Sequence, residues 1–166
     1  MNASSNKQDI VITREYDYPV NLVWKAWTDP KLVMKWWGPT YYTSPRCEID
    51  FREGGQYVFC MRAPDSHGGL ESYSAGIYKK IVPMQRLEFN QYLSDREGNA
   101  IDPVLAGVPA DFPANVEFVI EFIAKGDKTE LKITEYGWTV GEMMKYAIMG
   151  MEQSLDKLGA SLANIK

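Results

Sequence analysis

The sequence predicts an α+β domain: a curved antiparallel sheet of seven strands, two short helices after the first strand, and one long C-terminal helix. Three observations carry this. Apolar residues alternate with a period of two through the middle of the chain, and recur at helical spacing only near residues 19–36 and after Gly137. Short turn-forming clusters separate most of the alternating runs, so successive strands pair as hairpins and the sheet is antiparallel. The last helical stripe is long enough to lie across such a sheet.

The elements follow in order. Residues 1–8 are polar and are expected to form a disordered tail, leaving 9–166 as a single domain. Ile10, Val11, Ile12 and Thr13 are β-branched and mark a first strand over 10–16. Pro19 suits a first helical turn, where its missing N–H is no loss, and Val20, Val23, Trp24 and Trp27 recur on one face. Asp29-Pro30 stops that helix, because the residue before a proline is pushed out of the α region. A second short helix over 31–36 ends at Gly38-Pro39.

From Tyr42 the period is two. Cys47, Ile49 and Phe51 alternate with charged residues, Glu53-Gly54-Gly55 makes a turn, and Tyr57, Phe59 and Met61 follow. The expected register sets Phe51 opposite Tyr57 and Ile49 opposite Phe59 across a bulged loop, with all odd-numbered residues on one face. Cys47 and Cys60 then point to opposite faces and form no disulfide. Further strands are expected over 72–81, 86–93, 115–124 and 129–136. Residues 94–113 carry three prolines and two glycines, and at about 20 residues exceed the usual connection of about 4–6, so they are a functional flap or a tolerated insertion. Met144, Ala147, Ile148, Met151, Leu155, Leu158 and Leu162 form one apolar stripe, which predicts a helix over 139–165, about 40 Å long.

Composition narrows the function. At 166 residues the chain is long enough for one self-sufficient core. A net charge of −4 argues against nucleic-acid binding, which needs a clustered basic face. The sequence shows neither a signal peptide nor a membrane span, and two cysteines are no disulfide framework, so a reducing cytoplasm is expected. His67, Cys47 and Cys60 are too few soft ligands for zinc, and no cofactor is expected. The unusual number is 13% aromatic residues together with 8 methionines, which pose the choice between a filled core and an aromatic-lined cavity.

Several motifs resemble one family. They are Pro19-x-x-x-Val23-Trp24-x-x-Trp27, Asp29-Pro30, Lys35-Trp36-Trp37-Gly38-Pro39, Glu53-Gly54-Gly55, Gly76 with Ile81-x-Pro83-x-x-x-Leu87-x-Phe89, Thr129-x-Leu131-x-Ile133, and Gly150-Met151-x-x-Ser154-Leu155-x-x-Leu158. Together they resemble the family related to the C-terminal domain of the activator of the heat-shock protein 90 ATPase, within the START-like, helix-grip (SRPBCC) superfamily. The resemblance spans about residues 9–162 and departs at Met151, where the family usually has Trp, and in the Pro-rich stretch. It implies a helix-grip fold with a deep cavity between sheet and long helix.

Within that frame the candidate ligand-binding residues are Trp36, Trp37, Tyr57, Phe59, Tyr73, Phe89 and Phe118 from the first half of the fold and the sheet, with Met144, Ile148 and Met151 from the helix. Trp36 and Trp37 are adjacent, so only one can face the cavity. Trp24 and Trp27 belong to the core. No nucleophilic triad is available, since His67 sits in a Gly-rich turn and neither cysteine has a local base. Glu135 is the one carboxylate in phase with inward Leu131 and Ile133, and an inward carboxylate is a candidate general acid or base. The competing and expected reading is a strand-end ion pair with a surface Lys or Arg. Arg14 and Arg46 are expected at the surface. Three function classes remain: a binder of a small hydrophobic or aromatic molecule, which is the one expected; a cyclase, dehydratase or hydrolase using Glu135 and a Tyr; and a regulator of a chaperone ATPase, disfavoured because no second partner-contacting domain fits. Exposed edge strands leave a homodimer open.

Overall fold

The computed structural model describes residues 7–109 and 111–165. Among the described residues seven strands form one antiparallel sheet: β1 (Lys7–Tyr16), β2 (Cys47–Ile49), β3 (Gln56–Arg62), β4 (Glu71–Val82), β5 (Arg86–Ser94), β6 (Val116–Lys125) and β7 (Lys128–Thr139). Their order is β1-β7-β6-β5-β4-β3-β2, so β2 to β7 run as a continuous meander and β1 returns to pair with the last strand. Helices α1 (Val20–Thr28) and α2 (Pro30–Val33) follow β1, and α3 (Glu142–Leu162) closes the chain. This is the α+β, helix-grip arrangement that the periodicities and the resemblance imply.

The boundaries differ in instructive ways. Strand β1 begins at Lys7, three residues before the expected Ile10, because Lys7 and Gln8, expected in the tail, pair with Thr139 and Trp138. The rest of that tail, residues 1–6, lies outside the described residues. Pro19 caps α1 in an extended conformation and does not join its first turn. Asp29 ends α1 and caps α2, its side chain accepting from the Lys31 N–H at 2.9 Å. Helix α2 is shorter than expected, and Trp36 lies in the turn beyond it. Helix α3 is 21 residues and about 31 Å long, because β7 runs on to Thr139 and Gly141 caps the helix.

The β2–β3 register is shifted by two residues from the expected one. Cys47 faces Phe59 and Ile49 faces Tyr57, while Phe51 has left the strand. The shift preserves parity, so odd residues still share the concave face, and Cys47 and Cys60 are both free thiols. Phe51 instead packs edge-on against Trp24 and Tyr78, at ring distances of 5.9 and 5.2 Å.

The core lies between the concave face of the sheet and α1 with α3. Leu87, Ile120, Leu131, Ile133, Leu155, Leu158 and Leu162 are fully buried there. Tyr16 pins helix to sheet by donating its hydroxyl to the Leu155 carbonyl at 2.8 Å. Gly76 is a packing glycine: a Cβ there would stand 1.7 Å from the Asn90 carbonyl oxygen and 2.8 Å from the Tyr57 ring. It gives Tyr57 the room to cross the sheet and donate to that same carbonyl at 2.7 Å.

Candidate functional site

Pairing registers place Ile10, Glu135, Phe118, Phe89 and Tyr78 in one row across the concave face. Phe89 and Phe118 stack with centroids 5.1 Å apart, and Tyr57 meets Phe59 and Phe89 at 4.6 and 5.5 Å. Phe59 carries the contact to Trp37 at 4.9 Å, and Trp37 leads through Trp36 to Trp27 at 5.7 and 4.7 Å. Aromatic rings therefore fill most of the concave face. The packing loosens at one end, where Trp37, Met61, Phe118, Phe112, Trp138 and the middle of α3 bound a cleft of about 200 Å³.

The polar floor of the cleft depends on a bulge. In a regular strand Glu135 and Trp138 would point to opposite faces, being three residues apart. Between Gln8 and Ile10 the β1–β7 register slips, so Tyr136 and Gly137 together oppose Asp9. Gly137 takes φ +86°, a conformation that suits glycine, and its N–H donates to Asp9 Oδ1 at 3.2 Å. The slip returns Trp138 to the concave face, where its indole Nε1 donates to Glu135 Oε1 at 3.0 Å.

Glu135 is 3% exposed and makes no ion pair among the described residues. This overturns the expectation of a strand-end salt bridge; Arg14 and Arg46, expected at the surface, pair there with Asp156 and Glu48. Burial penalises the carboxylate and pushes its pKa up to about 7, and the single Trp138 hydrogen bond only partly opposes that. Elsewhere on the cleft lining, on β5, Gln91 Oε1 is buried without a hydrogen-bond partner among the described residues. Ser72, Ser74 and Ser154 add hydroxyls to the lining.

One rim is tied down. Lys157 donates to the carbonyls of Gly38, Pro39 and Tyr42 at 3.0, 3.2 and 3.0 Å, the Gly38 N–H donates to Ser154 Oγ at 3.2 Å, and the Thr40 N–H to Gln153 Oε1 at 3.0 Å. Burial lowers the Lys157 pKa. The Gly38-Pro39 breaker is thus held against α3, and it carries Trp37 to the cleft with it.

Among the expected site residues, Trp37, Phe118, Met151 and Glu135 meet at the cleft. Trp36 does not: it is fully buried, with its Nε1 donating to the Ala26 carbonyl at 3.0 Å. Tyr57, Phe59 and Phe89 lie deeper, as the packed wall behind the cleft. Tyr73 borders the cleft but pairs across from Cys60, on the face opposite Phe59, and donates its hydroxyl to Glu71 at 3.0 Å. Met144 and Ile148 face the core, and the helix instead presents Ala147, Gly150, Met151 and Ser154 to the cleft.

Sequence reasoning missed Gln91, Phe112 and Trp138. Gln91 had a readable signal, since it keeps phase between Phe89 and Leu93 and so must point inward. Phe112 sits in the Pro-rich 94–113 stretch, where no periodicity applies; it packs edge-on to Trp138 at 5.5 Å and makes that stretch a wall of the cleft. Among the described residues no cluster of three or more His, Cys, Asp or Glu could hold a metal ion.

Known proteins resemble the chain in sequence pattern and shape. A solved structure from Nitrosomonas europaea aligns with TM-score 0.74 and 24% identity over 99% of this chain and 97% of its own. One from Chromobacterium violaceum gives 0.73 and 23% over 93% and 96%, and a solution structure from Arthrobacter aurescens 0.74 and 22% over 99% and 91%. At these identities they show the shared fold. No curated protein matches the chain. The family model for "Activator of Hsp90 ATPase homolog 1-like protein" matches residues 17–163, which take in both tryptophan motifs, six of the seven strands and α3, and the chain belongs to that family.

Proposed function

We propose that the chain binds a small, mostly apolar molecule in the cleft between sheet and α3, in the cytoplasm. One observation carries the reading: a concave face otherwise closed by aromatic packing opens at one end onto Trp37, Phe118 and Trp138, with polar atoms gathered on its floor. Mostly apolar walls with a few placed polar groups are the usual make-up of a small-molecule site. An apolar cavity of about 150 Å³ accepts benzene, so about 200 Å³ suits one ring with a short substituent. The fold supports the reading, since START-like domains typically take hydrophobic ligands between sheet and helix. Two free thiols suit a reducing compartment, and among the described residues no helix is long and apolar enough to cross a membrane.

Native mass spectrometry of protein taken directly from cell extract tests the reading. The expected result is a small-molecule adduct released by mild activation. Apoprotein alone in repeated preparations, together with no uptake of small aromatic probes, would overturn it.

A second reading has its own observation. Glu135 combines burial in the cleft with a pKa near neutrality, as a general acid or base requires. An enzyme of the cyclase, dehydratase or hydrolase type would use it with the ligand in place. If turnover of any bound molecule is found, Glu135→Gln should abolish it; unchanged turnover would remove Glu135 from that role.

A further inference from the structure

The unmet polar atoms on the cleft floor are acceptors. Glu135 Oε1 takes the Trp138 N–H, while Oε2 has no hydrogen bond among the described residues. Gln91 Oε1, on β5 with β6 between it and the strand of Glu135, lines the same cleft and is buried with no partner among the described residues. A buried acceptor without a partner is costly, so Gln91 Oε1 favours a ligand that brings a donor, and Glu135 Oε2 is free to accept from the same ligand. The protein itself brings no cation. Among the described residues no Lys, Arg or His lines the cleft, and Lys157 on its rim already spends its donors on three carbonyls.

The walls add a second, independent preference. Trp37, Phe112, Phe118 and Trp138 surround the floor, with Tyr146 at the mouth. Aromatic faces attract cations through their quadrupoles, and do so more strongly in a site shielded from water. Glu135 is flanked by Ile10 on β1 and Phe118 on β6, Tyr57 on β3 is the ionisable group close enough to feel its charge, and Tyr146 on α3 lines the cleft, while the Tyr73 hydroxyl turns away to Glu71. A carboxylate with no counter-charge, boxed by aromatic rings, is short of one thing.

Resting on the binding reading above and sharpening it, we propose that the ligand is an organic cation, a protonated amine carried on a single apolar ring, with its ammonium donating to Glu135 Oε2 and Gln91 Oε1. The ring fills the aromatic end of the cleft and the ammonium supplies the missing charge. Binding then requires ionised Glu135, so ligand affinity rises with pH through the Glu135 titration for as long as the amine stays protonated.

Calorimetric titration with 2-phenylethylamine, and with 2-phenylethanol as its uncharged analogue, tests this. The amine is expected to bind about tenfold or more tighter than the alcohol at about pH 8. Its affinity should fall about tenfold on going to about pH 6, following the ionised fraction of a group with a pKa of about 7, while the alcohol's stays level or rises. Glu135→Gln should weaken the amine about tenfold or more and flatten its pH dependence. Gln91→Leu, which leaves the carboxyl in place, should weaken it by a smaller factor and keep the slope. The proposal is overturned if the alcohol binds as tightly as the amine at the higher pH, if amine affinity falls with rising pH, or if both variants bind the amine like the parent. In those cases the apolar-ligand reading stands; if neither probe binds at all, both fall together.

Discussion

At the scale of the residue, Glu135 is the place where this fold works against its own stability. Its carboxyl keeps a proton up to about pH 7 in the folded chain, against an ordinary 4.5. Between those values the folded state binds more protons than the unfolded one, so stability falls as pH rises through the window and levels off above it. The shift corresponds to about 3 kcal/mol lost between about pH 4.5 and 7. Glu135→Gln keeps an acceptor for the Trp138 N–H and carries no charge. Denaturant unfolding should therefore find the variant more stable than the parent by up to about 3 kcal/mol at about pH 8, with the gap closing toward about pH 4.5. A difference that does not vary with pH would mean that Glu135 is hydrated in the folded protein. The adjacent tryptophans divide the labour as their spacing requires: Trp36 is locked in the core by Ala26, and Trp37 is left for the cleft.

At the scale of the element, the bulge in β7 sets the polar floor of the cleft. It puts an indole N–H beside a carboxyl that regular strand geometry would have left alone. Gly137 makes it possible; a Cβ there would touch nothing within 4 Å, so its cost would come from φ +86° alone. Gly137→Ala should destabilise by about 1 kcal/mol, the usual penalty for an L-residue in the left-handed region. If the bulge relaxes, the Trp138 indole N–H resonance should move toward its solvent-exposed position. An unchanged stability and an unchanged indole signal would contradict the role given to the bulge. The same bulge explains why Trp138 was hidden in the sequence, since phase counted along β7 puts it on the outer face. On α3 the error was one of rotation. The apolar stripe through Met144, Ile148 and Leu155 faces the core, and the cleft sees the neighbouring Ala147, Gly150 and Ser154, which are too small or too polar to mark a hydrophobic face.

At the scale of the molecule, periodicity was enough for the architecture. Seven alternating runs, two tryptophan-bearing helical segments and a final stripe read directly as one meander with its helices on one side. Face assignment survived as well, because parity does not depend on register: Cys47 and Cys60 separate whether Ile49 meets Phe59 or Tyr57. The register itself was not legible, because the 50–55 turn is set by Phe51 finding Trp24 and Tyr78 in three dimensions. Nor was the balance between core and cavity. Phase brings Tyr57, Phe59, Phe89 and Phe118 to one face, and only their mutual packing shows that they mostly fill it, confining the open space to one end. The central claim is that this open end takes up a small apolar ring. The most direct test follows the methionine methyl resonances during titration with 2-phenylethylamine at about pH 8, where Glu135 is ionised. Met61 and Met151 line the cleft, whereas Met84 sits in the β4–β5 turn. The account expects the Met61 and Met151 signals to move along one saturating curve while Met84 stays still; no movement of the first two, or equal movement of all three, would contradict it.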